Sequence, residues 1–304
     1  MEIRKELRSD DGTLRKYIFF TVNFNAFRDV STDVTSEIRD REETAQCECV
    51  LCLPDSYTKD GMKTPLILSF HGAGRDVCAQ RGTVGGLAYV QNLIDAGYAA
   101  LDVCGAKPHG LTFGCPEHIF AAYKAYRYAI NHYNLSEKVL VTGSSMGGQT
   151  AMNFVNTFPS LALAVGMFYP RLHMEGVTVN GHYCIGTWDK TVSKNGAPSV
   201  HDRIKESFHL QNDNWSDSTT VGFNPHRTRS FVNADGHRVV MPPCPIKIWQ
   251  GTADTVVDPV FVEEYVRSVR RGGCYIEFHM MEGVTHAFTP QMCTELLYWF
   301  NRFI

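Results

Sequence analysis

The chain has 304 residues, 44% hydrophobic, 20% charged and 12% aromatic, which is long enough for one large domain and ordinary for a globular protein. A formal net charge of -3 and a pI near 6.4 give no electrostatic reason to expect nucleic acid or an anionic membrane as partner. The opening MEIRKELRSDDG lacks the apolar stretch of a secretory signal, so the expectation is a cytoplasmic protein, or a secreted one if a leader has been trimmed; no run approaches the roughly 18 apolar residues of a membrane span.

In chain order, RKYIFFTVNF (15–24) and CECVLCLPDSY (47–57) read as two early strands forming an antiparallel edge. Of the 10 cysteines, only Cys47, Cys49 and Cys52 lie close together. Alternation along a strand sends Cys47 and Cys49 to one face and Cys52 to the other, which favours buried thiols over a metal site. TPLILSFHG (64–72) is a continuous apolar run suited to a strand buried on both faces, and LAYVQNLIDAG reads as a helix closed by Gly97.

Next come the strand YAALDVCG (98–105), the amphipathic helix 116–135 with Pro116 in its first turn, and the strand KVLVTG (138–143) running into a helix stopped by Pro159. LALAVGMFYP (161–170), PIKIWQG (245–251) and CYIEFHMMEG (274–283) are further strands, with PVFVEEYVRSVRRGG between the last two as a helix and FTPQMCTELLYWFNRFI as the final one. The alternation predicts an α/β fold: a mostly parallel sheet of eight strands flanked by helices, in one domain over 1–304.

Residues 171–243 break this rhythm, with weak periodicity, many turn formers and six of the 12 histidines: His173, His182, His201, His209, His226 and His237. A stretch of this length inside a compact domain reads as a lid or cap inserted between two sheet strands. The histidine spacings suggest no single metal site and favour surface or pocket-wall positions, so no metal is expected.

The chemistry concentrates in GSSMGG (143–148), between a strand and a helix. A serine hydroxyl is a weak nucleophile unless a base takes its proton, and a sharp strand-to-helix turn exposes it to one. Such a turn crowds the positions two before and two after the nucleophile, where glycine is needed. Ser145 has Gly143 and Gly147 there, whereas Ser144 has Thr142 and Met146, so Ser145 is the candidate nucleophile.

The N–H of Met146, at the start of the helix, is the first expected oxyanion donor; HGAG (71–74) offers a second from Ala73 or Gly74, with His71 tying down that loop. For the orienting acid, GTADTVVD offers Asp254 and Asp258 after the strand PIKIW. Asp258 precedes Pro259 and a helix, which suits capping, and Asp254 is preferred. GVTHAF places His286 in a loop before the last helix as the general base.

With HGAG, GSSMGG, GTADTVVD and GVTHAF in this order, the sequence resembles the α/β-hydrolase superfamily, and more closely the single-domain esterases related to the prolyl oligopeptidase family, including feruloyl and acetyl esterases. The resemblance covers roughly residues 45–170 and 243–304, leaving 171–243 as a lid before the strand that leads to the catalytic Asp. It implies acyl transfer through an acyl-enzyme on Ser145, with no cofactor, on a small-molecule or carbohydrate-linked ester. Tyr169 and Trp188, with Tyr183, Trp215 and Phe223, are the aromatic candidates for substrate walls. A serine peptidase of aminopeptidase type and a non-catalytic binding protein on the same fold are the competing readings.

Overall fold

The computed structural model describes residues 2–8, 13–25, 44–73, 90–104, 112–174, 177–184, 198–208, 210, 225, 230–232, 238–240 and 242–304. The strands are β1 (Ile3–Arg8), β2 (Leu14–Asn25), β3 (Thr44–Cys52), β4 (Thr64–Phe70), β5 (Ala99–Val103), β6 (Leu135–Ser144), β7 (Ala162–Phe168), β8 (Val177–Val179), β9 (His182–Cys184), β10 (Ser230–Val232), β11 (Arg238–Val240), β12 (Ile246–Gly251) and β13 (Ile276–Met281). The helices are α1 (Gln91–Asp95), α2 (Pro116–His132), α3 (Met146–Thr157), α4 (Val200–Ser207), α5 (Pro259–Gly272) and α6 (Pro290–Phe300).

Nine of these strands form one sheet in the order β1-β2-β3-β5-β4-β6-β7-β12-β13. The six from β5 to β13 pair in parallel, and β1, β2 and β3 add an antiparallel edge. The expectation of eight strands is thus corrected to nine. The missing one is β1, whose IRKELR carries four charges in six residues and pairs on one side only. Charge of this kind is how edge strands avoid stray pairing, and it erases the apolar signal.

Inner strands such as β5, buried at every position, could only form with both faces covered. One face packs on α2, α3 and α5 through Ile119, Ala122, Phe154, Val262 and Val266. The other packs on α1 and α6 through Leu93, Ile94, Leu296, Trp299 and Phe300. Cys47 and Cys49 belong to the first layer and Cys52 to the second, all buried free thiols. The α2 helix ends earlier than its pattern suggests, because Tyr133 is already extended and Leu135 opens β6.

Between β7 and β12 the described parts of 171–243 hold structure of their own. β8 and β9 form a hairpin around Asn180 and Gly181, whose φ values of 50° and 81° fit the Asn-Gly turn that hairpins favour. α4 begins with a capping box between Ser199 and Asp202. β10 pairs antiparallel with β11.

Candidate active site

β6 runs straight into α3, and the joining residue is Ser145 with φ 53° and ψ -122°. A non-glycine residue held there is strained, and the surroundings impose the strain. The Ser145 N–H donates to the Phe168 carbonyl at 3.1 Å, while its own carbonyl accepts from Gly148 at 3.0 Å and Arg171 at 2.8 Å. A Cβ on Gly143 would lie 2.2 Å from the Gly147 carbonyl oxygen, and one on Gly147 would lie 2.0 Å from that of Phe70. The two glycines therefore let the turn close on itself and on the end of β4.

His286 and Asp254 come from the loops after β13 and β12. The backbone locks these loops together: the Ala253 N–H donates to the Val284 carbonyl at 3.0 Å, and a Cβ on Gly251 would sit 2.0 Å from that same oxygen. His286 Nε2 lies 2.9 Å from Ser145 Oγ, and His286 Nδ1 lies 2.8 Å from Asp254 Oδ2. Ser145, His286 and Asp254 are thus brought into one hydrogen-bonded line.

Asp254 is 4% exposed. Its Oδ1 accepts from the N–H groups of Val256 and Val257, both at 2.9 Å, and its Oδ2 also accepts from Gln250 Nε2 at 3.1 Å. Burial pushes its carboxyl up, but the bonds from His286, Val257 and Val256 outweigh that and hold it below the ordinary aspartate range. An ionised Asp254 accepts from Nδ1–H, which leaves Nε2 as the acceptor for the Ser145 hydroxyl proton. Asp258 instead caps α5, its Oδ1 accepting from the Val260 N–H at 3.0 Å.

Met146 is the first residue of α3, so its N–H has no carbonyl four residues back within the helix. The loop after β4 abuts Ser145, since a Cβ on Gly72 would be 3.5 Å from Ser145 Cβ; this sets Ala73 beside the same turn. His71 is 1% exposed, with Nδ1 3.0 Å from the Gly72 carbonyl. Tyr169, at φ 36°, packs its ring 4.4 Å from that of His286 and is 5% exposed, so it meets that imidazole directly. Gly74, Trp188, Trp215 and Phe223 lie outside the described residues, as does the side chain of Tyr183.

Two residues here went unread in the sequence. Gln250 ends an apolar strand, and only its polarity amid KIWQG marked it. Arg171 is 2% exposed; its guanidinium donates to Gln149 Oε1 at 2.7 Å and to the carbonyls of His173 and Met174, and lies 5.7 Å from the Phe113 ring centroid. It ties the chain leaving β7 to α3. Among the described residues no cluster of three or more His, Cys, Asp or Glu is placed to hold a metal ion, and no helix is long and apolar enough to cross a membrane.

No family model and no curated protein sequence matches this chain. Solved structures do. An esterase of Rhizomucor miehei superposes with a TM-score of 0.59 at 15% identity, over 93% of this chain and 82% of its own. The acylaminoacyl peptidase of Pyrococcus horikoshii superposes at 0.60 and 12%, over 100% of this chain and 48% of its own. A protein of Bacteroides ovatus assigned as a dipeptidyl aminopeptidase IV superposes at 0.59 and 12%, over 99% and 43%. This chain therefore spans less than half the length of either peptidase and most of the esterase. The likeness is one of architecture: the chain has the α/β-hydrolase fold.

Proposed function

We propose that this chain is a serine hydrolase acting on carboxylic esters, and that its substrates are feruloyl or acetyl esters of plant carbohydrate or phenolic alcohols. The observation that carries the reading is the line Ser145 Oγ, His286 and Asp254, with contacts of 2.9 and 2.8 Å. In this reading His286 Nε2 takes the Ser145 proton as Oγ attacks the ester carbonyl. The N–H groups of Met146 and of Ala73 or Gly74 receive the oxyanion. His286 then protonates the departing alcohol, and water activated by the same nitrogen releases the acid. The similarity to a fungal esterase over most of both chains supports an ester substrate.

The two peptidases of like fold favour a second reading, cleavage of an aminoacyl or peptidyl amide. A fluorophosphonate probe should label the wild type and not Ser145→Ala; an unlabelled wild type would leave a binding protein. Hydrolysis of p-nitrophenyl acetate and methyl ferulate should exceed that of aminoacyl-p-nitroanilides. Anilides cleaved as readily as the esters would establish the peptidase instead.

A further inference from the structure

Ile246, Ile248 and Gln250 alternate along β12 and so share one face of the sheet; the two isoleucines belong to the layer packed against α2, α3 and α5. Gln250 is 0% exposed. Nothing in that packing calls for an amide, and burying one here is unfavourable: Oε1 is sealed from solvent with no hydrogen-bond partner among the described residues. A leucine would complete the layer without leaving an orphaned acceptor.

The nitrogen end accounts for the placement. Nε2 stands 3.1 Å from Asp254 Oδ2, 3.2 Å from the Val257 carbonyl oxygen and 3.3 Å from that of Gly251. All three neighbours are acceptors, so the amide can present only its NH₂ group there; the reverse orientation would set Oε1 against three oxygens. Val257 is held from its other side as well, because its N–H donates to Asp254 Oδ1 at 2.9 Å. One side chain therefore grips both the carboxylate and the far end of the loop that carries it. Oδ1 is fixed by the N–H groups of Val256 and Val257, whereas Oδ2, the oxygen facing His286, has Gln250 as its other donor among the described residues. Without that donor, Oδ2 is positioned only by the imidazole it has to orient.

We infer that Gln250 is a positioning residue of the reaction: by donating to Asp254 Oδ2 and to the Val257 carbonyl, it holds the carboxylate in the pose that aims His286 at Ser145. This rests on the serine hydrolase reading above and adds a fourth residue to its line of three. Gln250 is buried beneath the loop, so its loss is felt through Asp254 and not through contact with substrate. Hydrogen bonds to charged groups are strong enough for the effect to be read in a rate.

The test compares wild type, Gln250→Met, Asp254→Asn and the double variant, by the rate of fluorophosphonate labelling and by kcat and KM on p-nitrophenyl acetate. Methionine keeps the length of the side chain and removes the amide. Gln250→Met should lower the labelling rate and kcat by about 10–100-fold, with KM within about threefold of wild type. In the Asp254→Asn background the same change should cost less than about threefold more, because the group through which Gln250 acts is already gone. If Gln250→Met does not fold, Gln250→Leu should show the same losses; failure of both to fold makes the residue structural and overturns the inference. A folded Gln250→Met labelled as fast as wild type, or losses that multiply in the double variant, also overturns it and leaves the hydrolase reading standing. An unlabelled wild type overturns the hydrolase reading itself.

Discussion

His286 Nδ1 meets Asp254 Oδ2 at 2.8 Å, while Asp258, one turn further on, spends its carboxylate on the Val260 N–H at the start of α5. Two aspartates of one loop thus have separable tasks. Asp254→Asn removes the acceptor that fixes the imidazole tautomer and should lower kcat by about 10⁴-fold. Asp258→Asn should leave kcat within about threefold, since asparagine caps a helix nearly as well. Steady-state kinetics on an activated ester checks both, and an equal loss in the two variants would reassign the acid.

Gly147 carries a stability prediction. Its missing side chain is where the Phe70 and His71 carbonyls stand, 2.0 and 2.7 Å from a Cβ, and backbone cannot swing aside as a side chain does. Gly147→Ala should cost more than about 3 kcal/mol or abolish soluble expression. Gly181→Ala, at φ 81° with no atom of the described residues within 4 Å, should cost only the left-handed penalty of about 1–2 kcal/mol. Urea unfolding of the two variants should show this ranking.

Asp102 of β5 is fully buried, and among the described residues no side chain donates to either carboxyl oxygen. Burial pushes its carboxyl from the ordinary 3.8 up to about 7, with His71 and the Val103 N–H opposing in part. The folded chain therefore binds the extra proton between those values. The resulting stability is complete below about pH 4 and is lost as pH rises through 7. Asp102→Asn cannot ionise, so it should raise Tm over wild type more at pH 8 than at pH 5. Equal differences at the two pH values would show that the Asp102 carboxyl is already ionised at pH 5 in the folded state and is not pushed up.

The sequence was legible where backbone chemistry forces residue choice. Glycines on both sides of Ser145 are demanded by carbonyls about 2 Å from any Cβ, so the pattern separates Ser145 from Ser144. Asp254 and Asp258 separate for a related reason, because Pro259 marks a helix start that needs a cap. The buried strands read well because mostly apolar residues fit between two helix layers, with few polar exceptions such as Asp102 and Gln250.

What stayed hidden was set by distant contacts. β1 is a charged edge whose strand character comes from pairing with β2. Arg171 acts through a partner brought in by folding, Gln149 on α3, while Gln250 reaches Asp254 four residues on across an irregular loop, and no regular pattern announces either. The Asn180-Gly181 hairpin was available from the dipeptide alone but was masked by the irregular residues around it.

Ser145 and His286 are 141 residues apart in the chain, with Asp254 between them. On the ribosome, where domains form from the amino end onward, the Ser145 turn is translated long before His286. A nascent chain stalled anywhere from position 150 to 280 holds Ser145 without its hydrogen-bond partner His286, however well its early strands have paired. Under the reading proposed above, hydrolytic competence would arise only once position 286 has been made and its loop has closed on that of Asp254.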